Sequence, residues 1–191
     1  MKSLMTAVCA FGLLGGCASS RPDHFFILTT QPQGAAESRS TPPIQVALRV
    51  TLPSLVDRSE IILNTSADGV IVLDHERWAA PLPDLVTQTL ARDLERRRAD
   101  FLVTGQSVNH AVGPVIKVSV DVVQMSMRRG ERASIDAHWR ILDPRTGKDE
   151  LGGEVFSRPL GQDDYAAVAQ ALSDCLGLLA DRLVGQMAAE K

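Results

Sequence analysis

Ile116-Lys117-Val118-Ser119-Val120-Asp121-Val122 and Ser134-Ile135-Asp136-Ala137-His138-Trp139-Arg140-Ile141 decide the fold. In both stretches apolar and polar residues alternate with a period of two, so each reads as a strand that buries one face and wets the other. That is the pattern of an antiparallel sheet covered on one side. Arg128-Arg129-Gly130-Glu131-Arg132 forms a charged connection between them, and residues 143–148 turn the chain into a further strand at 150–156. A meander is expected.

Working upstream, residues 24–30 and 44–50 are β-branched or alternating runs separated by the aperiodic, proline- and serine-rich stretch 31–43, which reads as a loop. Residues 60–65 and 70–74 flank Ser66-Ala67-Asp68-Gly69, where Asp-Gly is expected to supply the positive φ of a tight hairpin. Pro81 and Pro83 suit a helix start, Asp84 sits near its positive end, and Val86, Leu90 and Leu94 recur at four-residue spacing. Arg96, Arg97 and Arg98 then read as a solvated helix terminus complementing the dipole, in preference to a phosphate-binding patch.

Downstream, Asp163 and Asp164 open a second helix carrying Tyr165, Val168, Leu172, Leu176, Leu179, Leu183 and Met187 on one stripe. Asp174, Asp181 and Arg182 interrupt it as a membrane span. A stripe wider than the sheet can cover leaves a homo-oligomer or a lipid contact open. The expectation is an α+β domain over residues 24–191, with a largely antiparallel sheet of about six to seven strands and two main helices packed on it.

Composition narrows the function. The 191 residues carry 23 acidic and 20 basic side chains, a net charge of -3, with 45% hydrophobic residues and only 4% aromatic. This supports one aliphatic core and argues against nucleic-acid partners, which need a basic surface with stacking rings. At the start, Lys2 precedes an apolar run from Leu4 to Leu14 that ends in Gly15-Gly16-Cys17. The run is too short to span a bilayer and reads as a signal peptide over residues 1–16. Leu14-Gly15-Gly16-Cys17 resembles a bacterial lipobox. That resemblance implies lipidation of Cys17 by covalent diacylglyceryl and N-acyl groups, and a tether over residues 17–23. Ala18 replaces the Asp that commonly retains lipoproteins in the inner membrane, which implies the periplasmic face of the outer membrane. Two or three acyl chains hold a protein durably where one does not. Cys9 leaves with the signal and Cys17 is modified, so Cys175 is left without an intramolecular partner and reads as a small buried hydrophobe.

Catalytic motifs fail on inspection. His75-Glu76-Arg77-Trp78-Ala79 has Ala79 where a zinc-protease helix needs its second His, and Gly147-Lys148 lacks the flanking Gly and Ser/Thr of a phosphate loop. His24, His75, His110 and His138 are far apart in sequence, without partners at ligand spacing. No catalytic, cofactor-binding or metal-ligating residue is assigned, and the chain reads as a non-enzyme.

Several segments together resemble the ABC-type transport auxiliary lipoproteins, the PqiC-like (paraquat-inducible protein C) family. They are Phe25-Phe26-Ile27-Leu28, Leu52-Pro53-Ser54-Leu55-Val56-Asp57-Arg58 with Ile61-Ile62, Arg77-Trp78-Ala79-Ala80-Pro81-Leu82, Ala137-His138-Trp139-Arg140-Ile141 and Ala171-Leu172-Ser173. The sequence departs from the family at Phe26, often Tyr, and at Ala80, often Glu. The resemblance implies an auxiliary component of an intermembrane lipid transport system. Its partners would be an MCE-domain (mammalian cell entry) protein and the associated permease and ATPase. A lipid-binding carrier and an envelope-assembly lipoprotein unrelated to transport are the alternatives. Trp78 and Arg77 are interface candidates, since Trp and Arg are enriched at binding hot spots, although a Trp just ahead of a helix usually packs into the core. Asp57 and Arg58, read as a local cap and pair, and the cluster Arg128, Arg129 and Arg132 complete the candidate contact residues.

Overall fold

The structure, a computed structural model, describes residues 21–30, 42–65, 68–105 and 113–188. The signal peptide, Cys17, most of the tether and His110 lie outside the described residues. The elements are β1 (His24–Phe26), β2 (Ile44–Thr51), β3 (Glu60–Asn64), β4 (Val70–Trp78), α1 (Leu82–Arg97), β5 (Phe101–Thr104), β6 (Ile116–Arg128), β7 (Arg132–Asp143), β8 (Lys148–Pro159) and α2 (Tyr165–Ala188). The class is α+β, but the strands form two mixed sheets instead of one largely antiparallel one. A small sheet has the order β1-β4-β3 and a large one the order β5-β2-β6-β7-β8.

The expected meander is β6-β7-β8, paired antiparallel throughout, while β2 runs parallel to both β5 and β6. The chain leaves β2 through β3, β4 and α1 before returning as β5, and such a crossover brings a strand back in the same direction. Alternation reports which face is buried and is blind to strand direction. In β6 the register shifts between Val122 and Gln124, leaving Val123 as the extra residue. Core positions change there from Ile116, Val118, Val120 and Val122 to Met125 and Met127.

α1 packs on β2 and β5, α2 packs on β7 and β8, and the two helices pack on each other. Leu82, Val86, Leu90 and Leu94 of α1 are each fully buried, and Pro81 with Asp84 begins that helix as expected. Asp164 Oδ1 accepts the Ala167 N–H at 2.6 Å and caps the start of α2. The α2 stripe is covered within one chain, because Val168, Leu172, Cys175, Leu176, Leu179 and Leu183 are all buried. The arginine run at the end of α1 departs from its reading. The Arg97 side chain is only 6% exposed. It reaches Asp93 Oδ1 at 3.3 Å and Asp181 Oδ1 at 2.6 Å, and donates to the Asp93 and Gly177 carbonyls at 3.1 and 2.9 Å. It is a clamp between the helices, not a solvated terminus.

The hairpin joining β3 to β4 also differs from its expectation. Gly69 has no positive φ; that conformation is found at Gly113, Gly130 and Gly147. Thr65 instead closes the turn by donating its N–H and its hydroxyl to the Gly69 carbonyl, at 2.9 and 3.0 Å.

Candidate functional site

Three of the five segments quoted for the family, at 25–28, 52–62 and 77–82, meet in and around the small sheet, whereas Ala137–Ile141 lies in β7 of the large sheet and Ala171–Ser173 in α2. β1 is only three residues long and lies parallel on the end of β4, with His24 opposite Glu76, Phe25 opposite Arg77 and Phe26 opposite Trp78. Such a short strand needs side-chain support. His24 Nδ1 lies 3.1 Å from Glu76 Oε1, and His75 Nδ1 lies 3.0 Å from Asp23 Oδ1. Ala79 N–H donates to the Phe26 carbonyl at 2.8 Å, and Thr29 N–H donates to the buried Ser173 hydroxyl at 3.0 Å. The Ser173 hydroxyl in turn donates a hydrogen bond to the Ala169 carbonyl at 2.8 Å, so the Ala171-Leu172-Ser173 segment fastens the N-terminal strand to α2. His24 and His75 therefore do have carboxylate partners, which their sequence spacing hid because the pairs span 52 positions. The His75 to Ala79 stretch is strand and its exit, not a helix that aligns imidazoles.

Trp78 is 3% exposed and belongs to the core, with its N–H donated to the Ser59 carbonyl at 2.7 Å. Arg77 stays at the surface. Its Nε is in ionic contact with Asp23 Oδ2 at 3.3 Å without the alignment of a hydrogen bond, and its Nη1 lies 3.3 Å from Glu60 Oε1. Arg58 pairs with Glu60 Oε2 at 3.4 Å and not with the exposed Asp57, so the expected Asp57–Arg58 pair is replaced. The Glu60 carboxyl is held below its ordinary value first by a backbone hydrogen bond within its own residue and then by the Ser59 hydroxyl; desolvation opposes them, and the charges of Arg77 and Arg58 add smaller lowering effects. Exposed Phe25 and Leu55 accompany this chain of charges, and the combination offers a partner both apolar contact and orientation.

The arginine cluster forms the hairpin between β6 and β7, where Gly130 takes φ +71. Its members are committed unequally. Arg129 pairs with Asp163 at 2.9 Å and stacks 4.9 Å over the Tyr165 ring, which docks the hairpin on the start of α2. Arg128 lies 3.6 Å from Glu131, while Arg132 has no carboxylate partner among the described residues.

A third surface was not singled out in the sequence. The outer face of the large sheet carries an open trough of about 730 Å³ whose lining includes Arg49, Asp121, His138, Arg140 and Leu151. Gly152 and Gly153 shape it, because a Cβ would meet the Trp139 ring on one side and the His138 ring on the other, at 2.4 and 2.7 Å. Arg140 forms a two-pronged pair with Asp149 at 2.6 and 2.8 Å. This holds the Asp149 carboxyl low and raises the guanidinium, in both cases first through that hydrogen bond. Polar residues alternating along β6 and β7 marked this face as wet, but only the glycine pair in β8 signals the flattened relief. Among the described residues no three His, Cys, Asp or Glu side chains gather as a metal site, and no helix is long and apolar enough to cross a membrane.

The comparisons with known proteins bear on the small sheet and the core together. Residues 26–184 match the family described as "ABC-type transport auxiliary lipoprotein component". The chain belongs to that family. As an auxiliary transport lipoprotein it shares its fold with a solved but uncharacterized protein at 13% identity and a TM-score of 0.70, covering 88% of this chain and 100% of that one. A protein from Xanthomonas campestris is similar at 18% identity and a TM-score of 0.62, covering 86% of this chain and 94% of its own. No curated protein matches the sequence.

Proposed function

We propose that this auxiliary lipoprotein is anchored by lipidated Cys17 to the periplasmic face of the outer membrane. There it acts as the non-catalytic component of an MCE/ABC-type intermembrane lipid transport system, with an MCE-domain protein and its permease and ATPase as partners. The observation that carries the reading is the family match over residues 26–184, joined to the small-small-Cys end of the leader at Gly15-Gly16-Cys17. The domain suits a docking role. Its interior is filled by side chains such as Leu48, Leu90 and Leu172, each at most 1% exposed, and the trough on the outer face of the large sheet opens broadly to solvent. Those features favour contact with a partner over carriage of a lipid inside the domain. Arg77, Arg58 and Asp57, beside Phe25 and Leu55, form the surface we assign to the partner, while Trp78 supports it from the core.

The test is affinity purification from native envelope membranes with a tag at the C-terminus. Co-purification of an MCE protein is expected, and its loss in Arg77→Glu with Phe25→Ser would locate the surface. Failure to recover any MCE protein, under conditions that preserve other envelope complexes, would refute the transport role. Stoichiometric phospholipid in native mass spectra of the purified protein, beyond its own anchor, would favour the carrier reading instead.

A further inference from the structure

The end of the molecule from which the tether leaves carries an apolar edge that the proposed function does not use. β1 runs parallel to β4, so its upstream end points back toward the first residues of β4. There Val70, Ile71 and Val72 are 40%, 52% and 39% exposed, three consecutive β-branched residues left open on one strand. The neighbouring strand β3 brings the arginine hairpin beside them. Asn64 is paired with Val70, and its Oδ1 accepts the N–H of Met127, the residue before Arg128.

We infer that Val70, Ile71 and Val72, flanked by Arg128 and Arg132, rest against the phospholipid surface and form a second, non-covalent contact with the bilayer. Chain length carries the argument. Asp23 is fixed on His75 at 3.0 Å. Six peptide steps link it to Cys17, so the Cα of an anchored Cys17 stands at most about 22 Å from that point. Val72 lies three residues from His75 along β4, about 10 Å away. A tether this short, leaving in this direction, brings the start of β4 to the lipid before the opposite end of the domain. Apolar side chains entering the interfacial region, with guanidinium groups at the phosphates, are the chemistry such a surface selects.

The inference rests on lipidation of Cys17, and the experiment separates the two. Full-length processed protein carrying Asp68→Cys, labelled with an environment-sensitive fluorophore, is reconstituted into phosphatidylethanolamine and phosphatidylglycerol vesicles with brominated acyl chains. The comparison label is Leu151→Cys, opposite Arg140 and Ser119 at the far end of β6. Protein that floats with the vesicles and is quenched several-fold more at position 68 than at 151 supports the contact. Val70→Ser, Ile71→Ser and Val72→Ser together should then abolish that difference while flotation persists. Flotation with equal quenching at the two positions, or quenching unchanged by the triple substitution, overturns the contact and leaves the anchor standing. Protein that stays in the aqueous fraction overturns both.

Discussion

Arg97→Met would test the account of how the two helices are held together. The Arg97 side chain is 6% exposed and that of Asp93, which it neutralises, is wholly buried, whereas Asp181 on the far side is half exposed. The Asp181 contact therefore contributes little, about 0–1 kcal/mol. The large effect is the carboxylate left in the interior, and breaking a buried pair from one side costs about 3–5 kcal/mol. A domain of this size has a total stability on the order of 5–15 kcal/mol. With a urea dependence near 2 kcal/mol per molar, the unfolding midpoint should fall by about 1.5–2.5 M. Adding Asp93→Leu removes the buried carboxylate and should recover most of the loss, since an apolar replacement of a buried pair is often neutral or stabilising. Urea titration followed by tryptophan fluorescence reads both variants. A shift under about 0.5 M for Arg97→Met, or a double variant no more stable than the single, would show that the clamp is not a buried ion pair in energetic terms.

Gly152→Ala places a Cβ 2.4 Å from the Trp139 indole, a ring locked in the core, and should lose about 1–3 kcal/mol. Gly161→Ala meets nothing within 4 Å and should leave the melting temperature unchanged or slightly raised; equal melting of the two variants would discount the steric argument. Burial pushes the Cys175 thiol up to about 12, so it should resist thiol reagents in the native protein at pH 8 and react on denaturation. The native fold holds a proton there that the unfolded chain releases above about pH 8.5, so this group's contribution to stability falls as pH rises from there toward 12; a stability profile flat in that range in wild type and Cys175→Ala alike would contradict it. Ser173→Ala leaves the Thr29 N–H without its acceptor and should cost about 1–2 kcal/mol, with hydrogen exchange faster at residues 24–29 than in the large sheet; uniform exchange would deny Ser173 its role as a fastener.

What the sequence disclosed follows from what periodicity can report. The alternation along 116–122 and 134–141 named the buried faces of β6 and β7, and the three-and-four spacing from Tyr165 to Met187 named the buried stripe of α2, where Cys175 sits as read. β6 continues beyond Val122, but the extra residue at Val123 shifts the period by one, and a period-two reading stops there. β5 is four residues long and owes its place to Phe101, which packs into the core beneath the Arg98 guanidinium at 4.4 Å. Nothing local marks it. The candidate residues divide in the same way. Trp78 is the core residue its position suggested, whereas Arg58, Arg97 and His24 are governed by partners that the fold supplies. Asp181 lies 84 positions from Arg97, and no spacing rule reaches that far.

The distribution of these long-range fasteners says something about how the domain works. Most of the large sheet is held by long backbone ladders and aliphatic packing. β1 is different. Three residues of parallel pairing supply too few backbone bonds to persist alone, yet this strand is the one through which any pull from Cys17 enters the fold. The structure meets that load with two imidazole–carboxylate pairs, the Arg77 contact to Asp23, and the Ser173 bond into α2. Each of these joins β1 or the residues flanking it to an element buried in the core. A flexible tether running directly into a loop would let the body tumble freely above the membrane. With Cys17 lipidated as proposed, a tether running into a strand riveted on both faces limits the domain's freedom at its point of attachment. Under the proposed function, such ordering lowers the entropic cost of meeting a partner that reaches from the opposite membrane.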